Sequence, residues 1–424
     1  MSQLTATERR ERLKQYHDRV TETVESPLCF CFAADIEREY RQLRSVLDTH
    51  YPDSRIFYAV KANYNPAILS VFRKLGCGVE AFASCELQAI RAAGYAPGPV
   101  LLTGMNRSRS ELATAMRWGV DRVLVDNRDE LRRVSDVAAK TGSTVDVLIR
   151  VNPALNIPTK DKIATGKESS KFGLDVDSDV AMATVSEVVS DANLCLSGLQ
   201  VHLGSQLQTT APYQSAAELL IAFAAKIRAE TGAVVDVVDL GGGFPVPYQE
   251  PVPTPAEIVE EMARGLTTAA ADHDFPEPTL YIEPGRRLIA SALGAVGQVG
   301  AIKNRPDTCY TVLDIGSNII TENWDFPVYN LTASGPETAK YTITGPLCIS
   351  NDIIRKDVSI REVSLGDHIA IDKIGAYSIS ATSYLNASQR IPVVLVDSDG
   401  KAKLVRPREP CSEVVAIDGE ETEL

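Results

Sequence analysis

The sequence has little that would tie it to a metal, a membrane or a nucleic acid. Its five histidines (His17, His50, His202, His273, His368) do not fall at ligand spacing from the cysteines, so no metal is expected. None of the eight cysteines forms a Cys-x-x-Cys pair, which argues for reduced, buried thiols in a cytoplasmic chain. Cys29 and Cys31 alternate within Leu28-Cys-Phe-Cys-Phe32 and point to one face of a strand. No apolar stretch approaches the roughly 18 residues that cross a bilayer. The charged start, Met1 to Val24, has no signal-peptide core and reads as a helix. A formal net charge of -13 speaks against nucleic acid and acidic membrane surfaces as partners. Internal repeats and low-complexity tracts are also missing.

What is present is a chain of 424 residues, 44% hydrophobic and 23% charged. These are the proportions of a globular enzyme, long enough for two domains. From about residue 28, short β-rich runs alternate with helical stretches. The runs are Arg55 to Val60, Gly78 to Ala83, Val100 to Thr103, Arg122 to Asp126, Asp146 to Val151, Leu196 to Leu203, Val235 to Leu240 and Leu280 to Glu283. Alternation of this kind means parallel strands joined by crossovers, and eight units suggest a closed, TIM-like β/α barrel. A doubly wound open sheet is the alternative, but its Gly-x-Gly-x-x-Gly fingerprint is missing. Beyond about residue 285 short β-rich runs dominate, from Ala295 to Ala301 through Lys403 to Val405. They predict a C-terminal β-sandwich or β-barrel domain. Thr159 to Lys171 is a polar insertion, expected as a mobile loop near the barrel mouth.

Unusual residues gather at the ends of the predicted barrel strands. Lys61 closes the first, Arg55-Ile-Phe-Tyr-Ala-Val60, where loss of hydration would lower the pKa of its amine toward that of a nucleophile. Glu80 lies on the second strand, and Arg150 ends the fifth. His202-Leu-Gly-Ser-Gln206 ends the sixth, Gly241-Gly-Gly-Phe-Pro245 the seventh and Glu283-Pro-Gly-Arg286 the eighth. In a barrel these ends converge on one mouth, and the loops after the last two strands frequently bind phosphate. Each piece alone has a plainer explanation. A strand-end lysine can snorkel to solvent, three glycines can simply make a turn, and a histidine on an apolar strand is usually packed. Together, a lysine, a phosphate cradle, a carboxylate and a flat ring describe a site for pyridoxal 5'-phosphate. Lys61 would form the Schiff base, and Gly241, Gly242, Gly243 and Arg286 would hold the phosphate. Glu283 would keep the pyridine nitrogen protonated, and His202 would stack on the ring.

These motifs resemble the barrel-type pyridoxal-phosphate decarboxylases that act on diaminopimelate, ornithine and arginine, relatives of alanine racemase. The resemblance runs over about residues 25 to 400. Tyr58-Ala-Val-Lys-Ala-Asn63 is similar to the family's cofactor-lysine motif, and the histidine, triglycine and Glu283-Pro-Gly-Arg286 motifs follow. Gly345-Pro-Leu-Cys348, Asp352 and Gly375-Ala-Tyr377 look like its cysteine and tyrosine motifs. The resemblance implies a barrel over residues 28–280 and a β-rich domain of residues 1–27 and 281–424. It also implies a head-to-tail homodimer with shared active sites, Cys348 of the partner chain donating a proton and Tyr377 reaching the phosphate. Ser205 and Gly285 would join the cofactor contacts, and Arg150 would support the site near the lysine.

Departures from the family bear on the substrate. Ile349 stands where typical members carry an acid for the substrate's distal amine. Asn323-Trp-Asp-Phe-Pro-Val-Tyr329 has no arginine for a distal carboxylate, and Tyr384-Leu-Asn-Ala-Ser388 replaces the usual ending of the tyrosine motif. Substrate contacts are expected at Tyr329, Ile349 and Asp352. The expected function is therefore α-decarboxylation of an amino acid, or a carrier-tethered derivative, with an atypical distal group, in a siderophore or other natural-product pathway. The alternatives are a diaminopimelate, ornithine or lysine decarboxylase, and a non-catalytic regulator on the same scaffold. Phe82-Ala-Ser-Cys-Glu86 departs from the family's Ala-Ser-x-Gly-Glu without an evident reason in the sequence.

Overall fold

The computed structural model describes residues 4–155, 166, 170–337 and 339–416, so most of the polar insertion 159–171 lies outside the described residues. Its contacts divide the chain into two units. One is Glu39–Val246 with Pro251–Leu288; the other combines the described residues up to Arg38, Pro247–Glu250 and those from Ile289 onward.

The first unit is a closed parallel barrel. Its eight strands are Ser54–Ala59, Gly78–Ala81, Val100–Leu102, Arg122–Val125, Val145–Asn152, Leu194–Gln200, Val237–Asp239 and Thr279–Ile282. Each pairs in parallel with its neighbours, and the eighth pairs with the first, Leu280 opposite Ser54. Closure leaves no unpaired edge. Phe57, Leu101, Leu124, Leu148, Val237 and Tyr281 point inward from six of these strands and fill the interior. Gly78 makes room for one of them: a Cβ there would lie 2.5 Å from the Phe57 ring. Helices follow the strands with local start signals. Asn65 caps Pro66–Lys74, and reciprocal capping boxes open Arg109–Trp118 (Ser108 with Glu111) and Pro255–Asp272 (Thr254 with Glu257).

The second unit is β-rich. Leu293–Arg305 is its longest strand and pairs antiparallel with Leu28–Phe32, Thr308–Leu313 and His368–Asp372. Leu28–Phe32 also runs parallel to Val393–Val396. The expected boundaries are therefore corrected at both ends. Leu28–Phe32 lies in this sheet rather than at the barrel's entrance, and the barrel unit continues past residue 280 through its eighth strand to Leu288. A fully buried apolar run carries no sign of which sheet will take it. Two further strands, Val328–Asn330 and Ile353–Ile360, were not expected from the sequence.

The helix Ala6–Val20 begins at a Thr5–Glu8 capping box and belongs to this unit. Leu13 and Tyr16 on its inner face join Leu28, Phe30, Phe32, Val296, Tyr329 and Val394 in one apolar core. Arg9 from the same helix forks onto the buried Asp372, with Nη2 2.7 Å from Oδ1. The expectation that the thiols are buried holds for Cys29, Cys31 and Cys77 only, since Cys85, Cys195, Cys348 and Cys411 are exposed.

Candidate active site

The first barrel strand ends at Ala59 and passes into a single tight turn, Val60–Ala62, which lifts Lys61 onto the rim. The expected loss of hydration is smaller than a strand-end position suggests, because the side chain is 37% exposed. What holds the amine is an ion pair: Nζ lies 3.1 Å from Glu80 Oε2 and 3.3 Å from Oε1. Glu80 is buried on the second strand, and the Thr103 hydroxyl at the end of the third donates to it. A lysine must shed a proton before it can attack a carbonyl, and Glu80 is the carboxylate in contact to steer that loss. The Phe82–Glu86 segment lies beside it, and the start of its helix is held by Glu86. Ala83 cannot cap the helix Ser84–Ala92 with its own side chain, and Glu86 Oε2 instead accepts the N–H groups of Phe82 (2.6 Å) and Ala83 (3.1 Å).

His202 follows the sixth strand. The Gly242 N–H donates to its Nδ1 at 3.1 Å, which makes Nδ1 an acceptor and leaves Nε2 to carry the hydrogen. Burial, with the positive Lys61 and Arg150 nearby, pushes its pKa well below the ordinary value. The ring is therefore neutral and fixed in orientation. Gly241 (φ 65°) and Gly243 (φ 95°) adopt the left-handed conformation, and a Cβ at Gly242 would lie 2.6 Å from the Glu283 carbonyl oxygen. The reading of all three glycine N–H groups as phosphate donors is corrected. That of Gly241 donates to Asp239 Oδ1 at 2.8 Å and that of Gly242 to His202, so both are spent in shaping the turn.

Glu283, just past the eighth strand, is buried, and its own N–H donates to the Gly241 carbonyl at 2.7 Å. The ends of the last two strands are thereby locked together. Its carboxyl accepts from Gln200 Nε2 at 3.4 Å. Burial, then the neighbouring Asp239 and Glu80, hold its pKa well above the ordinary carboxylate value. Gly285 leads into the short helix that Arg286 opens. The Arg286 guanidinium is buried and donates from Nε to Ser205 Oγ at 3.2 Å, which brings two anion-binding side chains to one place. Arg150, on the fifth strand, pairs with Asp126 at 3.7 Å and lies 4.4 Å over the Phe172 ring. Asp239, Gln200, Thr103 and Asp126 were missed in the sequence. For Asp239 the available signal was a lone acid in the apolar run Val237-Val-Asp-Leu240.

In the β-rich unit, Cys348 is exposed and its thiol donates to Asn386 Oδ1 at 3.2 Å. Asn386 (φ 60°) and Ala387 (φ 51°) both take left-handed backbone in the altered 384–388 segment, which gives that departure a local consequence: it sets an amide against the thiol. Tyr377 is also left-handed (φ 58°), its carbonyl held by Thr321 Oγ1 at 2.6 Å. Ile349 is half-buried. Two expected substrate contacts are corrected. Asp352 is buried, and its carboxylate accepts the N–H groups of Ser317 (2.7 Å) and Leu347 (2.8 Å), so it anchors the turn that carries Cys348. Tyr329 lies on the strand Val328–Asn330 with its ring in the apolar core, because strand pairing with Ala370 turns it inward.

Residues 33–290 match the family model described as "Pyridoxal-dependent decarboxylase, pyridoxal binding domain". The chain belongs to the pyridoxal-dependent decarboxylases. It is 31% identical over 369 residues to the diaminopimelate decarboxylase of Methanocaldococcus jannaschii, covering 86% of this chain and 83% of that one. It is also 31% identical over 401 residues to the Vibrio cholerae diaminopimelate decarboxylase, covering 93% and 92%. The crystal structure of the M. jannaschii diaminopimelate decarboxylase in complex with L-lysine superposes with a TM-score of 0.88 at 28% identity, over 95% of this chain and 94% of that one. This decarboxylase is thus a pyridoxal-phosphate-dependent carboxy-lyase acting on an amino acid, which sets aside the non-catalytic regulator. The rim residues fit the cofactor by their chemistry. Lys61 offers the amine, neutral His202 a flat face, Glu283 a carboxyl at one edge, and Arg286 with Ser205 a set of anion donors.

Proposed function

We propose that this enzyme removes the α-carboxylate of diaminopimelate. The observation that carries this reading is the full-length likeness to diaminopimelate decarboxylases, with no large part of either chain left over. When bound, pyridoxal phosphate supplies the electron sink that makes loss of carbon dioxide feasible. The protein's share is positional. Lys61 would be the amine that holds the cofactor, and Glu80, 3.1 Å from its Nζ, would steer that amine's proton. Arg286, Ser205 and the Gly243 turn would hold the phosphate, and His202 would offer its fixed, flat face to the ring. Cys348 returns a proton to the α-carbon after carbon dioxide leaves; its exposed position suits a group that serves a second chain. On this reading the enzyme is a homodimer, Cys348 and Tyr377 of each chain completing the partner's site. No described helix is long and apolar enough to cross a membrane, which is compatible with a cytoplasmic place of work.

A second reading is favoured by one specific observation. Ile349 puts a branched hydrocarbon after the cysteine, and the 323–329 segment holds no arginine. A site that hydrogen-bonds a charged group discriminates strongly against substrates lacking it, and an apolar side chain gives a charged group no partner to offset its desolvation. An amino acid with a modified or uncharged distal end, from a siderophore or other natural-product pathway, would suit Ile349 better. Carbon dioxide release from meso-diaminopimelate, ornithine, lysine and N-acylated diamino acids separates the two. Preference for meso-diaminopimelate supports the first reading. Inactivity toward it, with turnover of an acylated or neutral side chain, overturns the first in favour of the second.

A further inference from the structure

We propose that Asp239 is a positioning residue for Glu283: the two buried carboxyls share one proton, and Asp239 ties the acid at the ring edge to the phosphate turn. The proposal rests on the reading of Glu283 as the partner of the cofactor's pyridine nitrogen. Asp239 ends the seventh barrel strand, is fully buried, and spends Oδ1 on the Gly241 N–H at 2.8 Å. Its Oδ2 has no N–H or O–H donor, and neither has Oε1 of Glu283. The two side chains leave the adjacent ends of the seventh and eighth strands, where Gly241 donates to Asp239 Oδ1 at 2.8 Å and accepts the Glu283 N–H at 2.7 Å. Two ionised carboxylates facing one another out of water would repel, with two acceptors unsatisfied. A single proton between them turns that repulsion into an O–H···O bond and satisfies both oxygens at once.

The surroundings favour a retained proton. Glu80 adds a third negative side chain, Lys61 is the cation that acts on Glu283 and Arg150 the one that acts on Asp239, and Gln200, also buried, leaves its Oε1 without a donor. Burial raises both carboxyls above the ordinary range; Asp239 and Glu80 raise Glu283 further, whereas at Asp239 the Gly241 N–H and Glu283 act against burial without cancelling it. Asp239 accepts a backbone N–H, which favours its charged form, so in the resting pair Glu283 carries the proton and donates it to Asp239. With the cofactor bound, Glu283 would be the acid that supplies a proton to the pyridine nitrogen. Asp239 then sets how strongly the cluster keeps the proton. Because the same side chain grips Gly241, whose carbonyl accepts the Glu283 N–H at 2.7 Å, the acid and the phosphate turn move as one piece.

The test is a pH titration of the bound cofactor's absorbance in the holoenzyme, together with its dissociation constant, in wild type, Asp239→Asn, Asp239→Ala and Glu283→Gln. Asparagine keeps an acceptor for Gly241 and offers N–H to Glu283, but it removes the negative charge. Asp239→Asn should retain the cofactor and lower the titration midpoint by about one pH unit, a roughly tenfold loss of proton affinity. Asp239→Ala should weaken cofactor binding at least about tenfold, since both contacts go. If Glu283→Gln moves the titration while Asp239→Asn leaves it in place, the shared proton is overturned and the reading of Glu283 stands. If Glu283→Gln itself changes neither titration nor affinity, the reading of Glu283 falls and takes the proposal with it. Wild-type affinity in Asp239→Ala overturns the tie to the phosphate turn.

Discussion

In the β-rich unit, Asp35 and Asp372 are buried beside arginines. Arg9 forks onto Asp372, and Asp35 takes Arg12 and Arg38 with Arg9 at 3.9 Å. Burial alone would raise the Asp35 carboxyl, yet these guanidiniums hold it below its ordinary value. At the barrel mouth, Asp239 and Glu283 are as deeply buried, but each keeps an oxygen with no donor, and both are pushed upward. The difference is not one of barrel against sheet. Within the barrel, Arg107 donates to Glu130 at 2.9 Å, and Glu130 also accepts the Asp126 N–H at 3.2 Å, so this pair is as complete as those around Arg9. Buried carboxylates whose oxygens all find donors, such as Asp35 and Asp372, hold architecture together; at the barrel mouth, carboxylates left short mark where a proton or ligand belongs.

The comparison can be broken in four places. The largest effect belongs to Lys61→Ala, which should lower carbon dioxide release by roughly a thousandfold or more and abolish the cofactor's covalent attachment. Its melting temperature without cofactor should fall less than that of Asp372→Ala, since Lys61 is partly exposed and the buried Glu80 keeps the Thr103 hydroxyl as a donor. Asp372→Ala should do the reverse. Stranding Arg9 should cost about 3–5 kcal/mol in denaturant titrations, whereas Asp239→Asn should leave the cofactor-free protein as stable as wild type or more so. Equal losses in both would erase the distinction between complete and incomplete sites. Cys348→Ala should slow turnover by about a hundredfold or more while the bound cofactor's spectrum survives; unchanged turnover would remove its role as donor.

The smallest effect concerns His17, an incomplete group in the β-rich unit. Burial, with the His368 ring tilted against it 4.3 Å away, pushes its pKa down to about 4. An unfolded histidine takes up a proton below about pH 6.5, and the folded one only near pH 4. This contribution is therefore whole above pH 6.5 and is lost as pH falls toward 4, amounting to roughly 2–3 kcal/mol over the window. Unfolding titrations at pH 7 and pH 5 should show less of this slope in His17→Phe than in wild type.

Much of this was legible in the chain because period and punctuation are local. The alternation of β-rich runs with helical stretches gives the barrel, and its closure forces Lys61, His202, the glycines, Glu283 and Arg286 to one rim. What stayed hidden depends on pairing across long separations. Leu28–Phe32 is buried throughout, so nothing in it reveals that residues 293 to 296 and 393 to 396 will flank it. Tyr329 and Asp352 sit in segments similar to functional motifs, yet strand pairing turns one into the core and two backbone N–H groups claim the other. Asp239 looked like part of a strand because the acid that makes it consequential, Glu283, is 44 positions away.

The most direct measurement is borohydride reduction of the holoenzyme followed by peptide mapping of the trapped pyridoxyl group. The label should appear on Lys61, in the peptide containing Tyr58-Ala-Val-Lys-Ala-Asn63. A label on any other lysine, or a tightly bound cofactor that leaves no label at all, would contradict the assignment of the barrel rim as the catalytic centre.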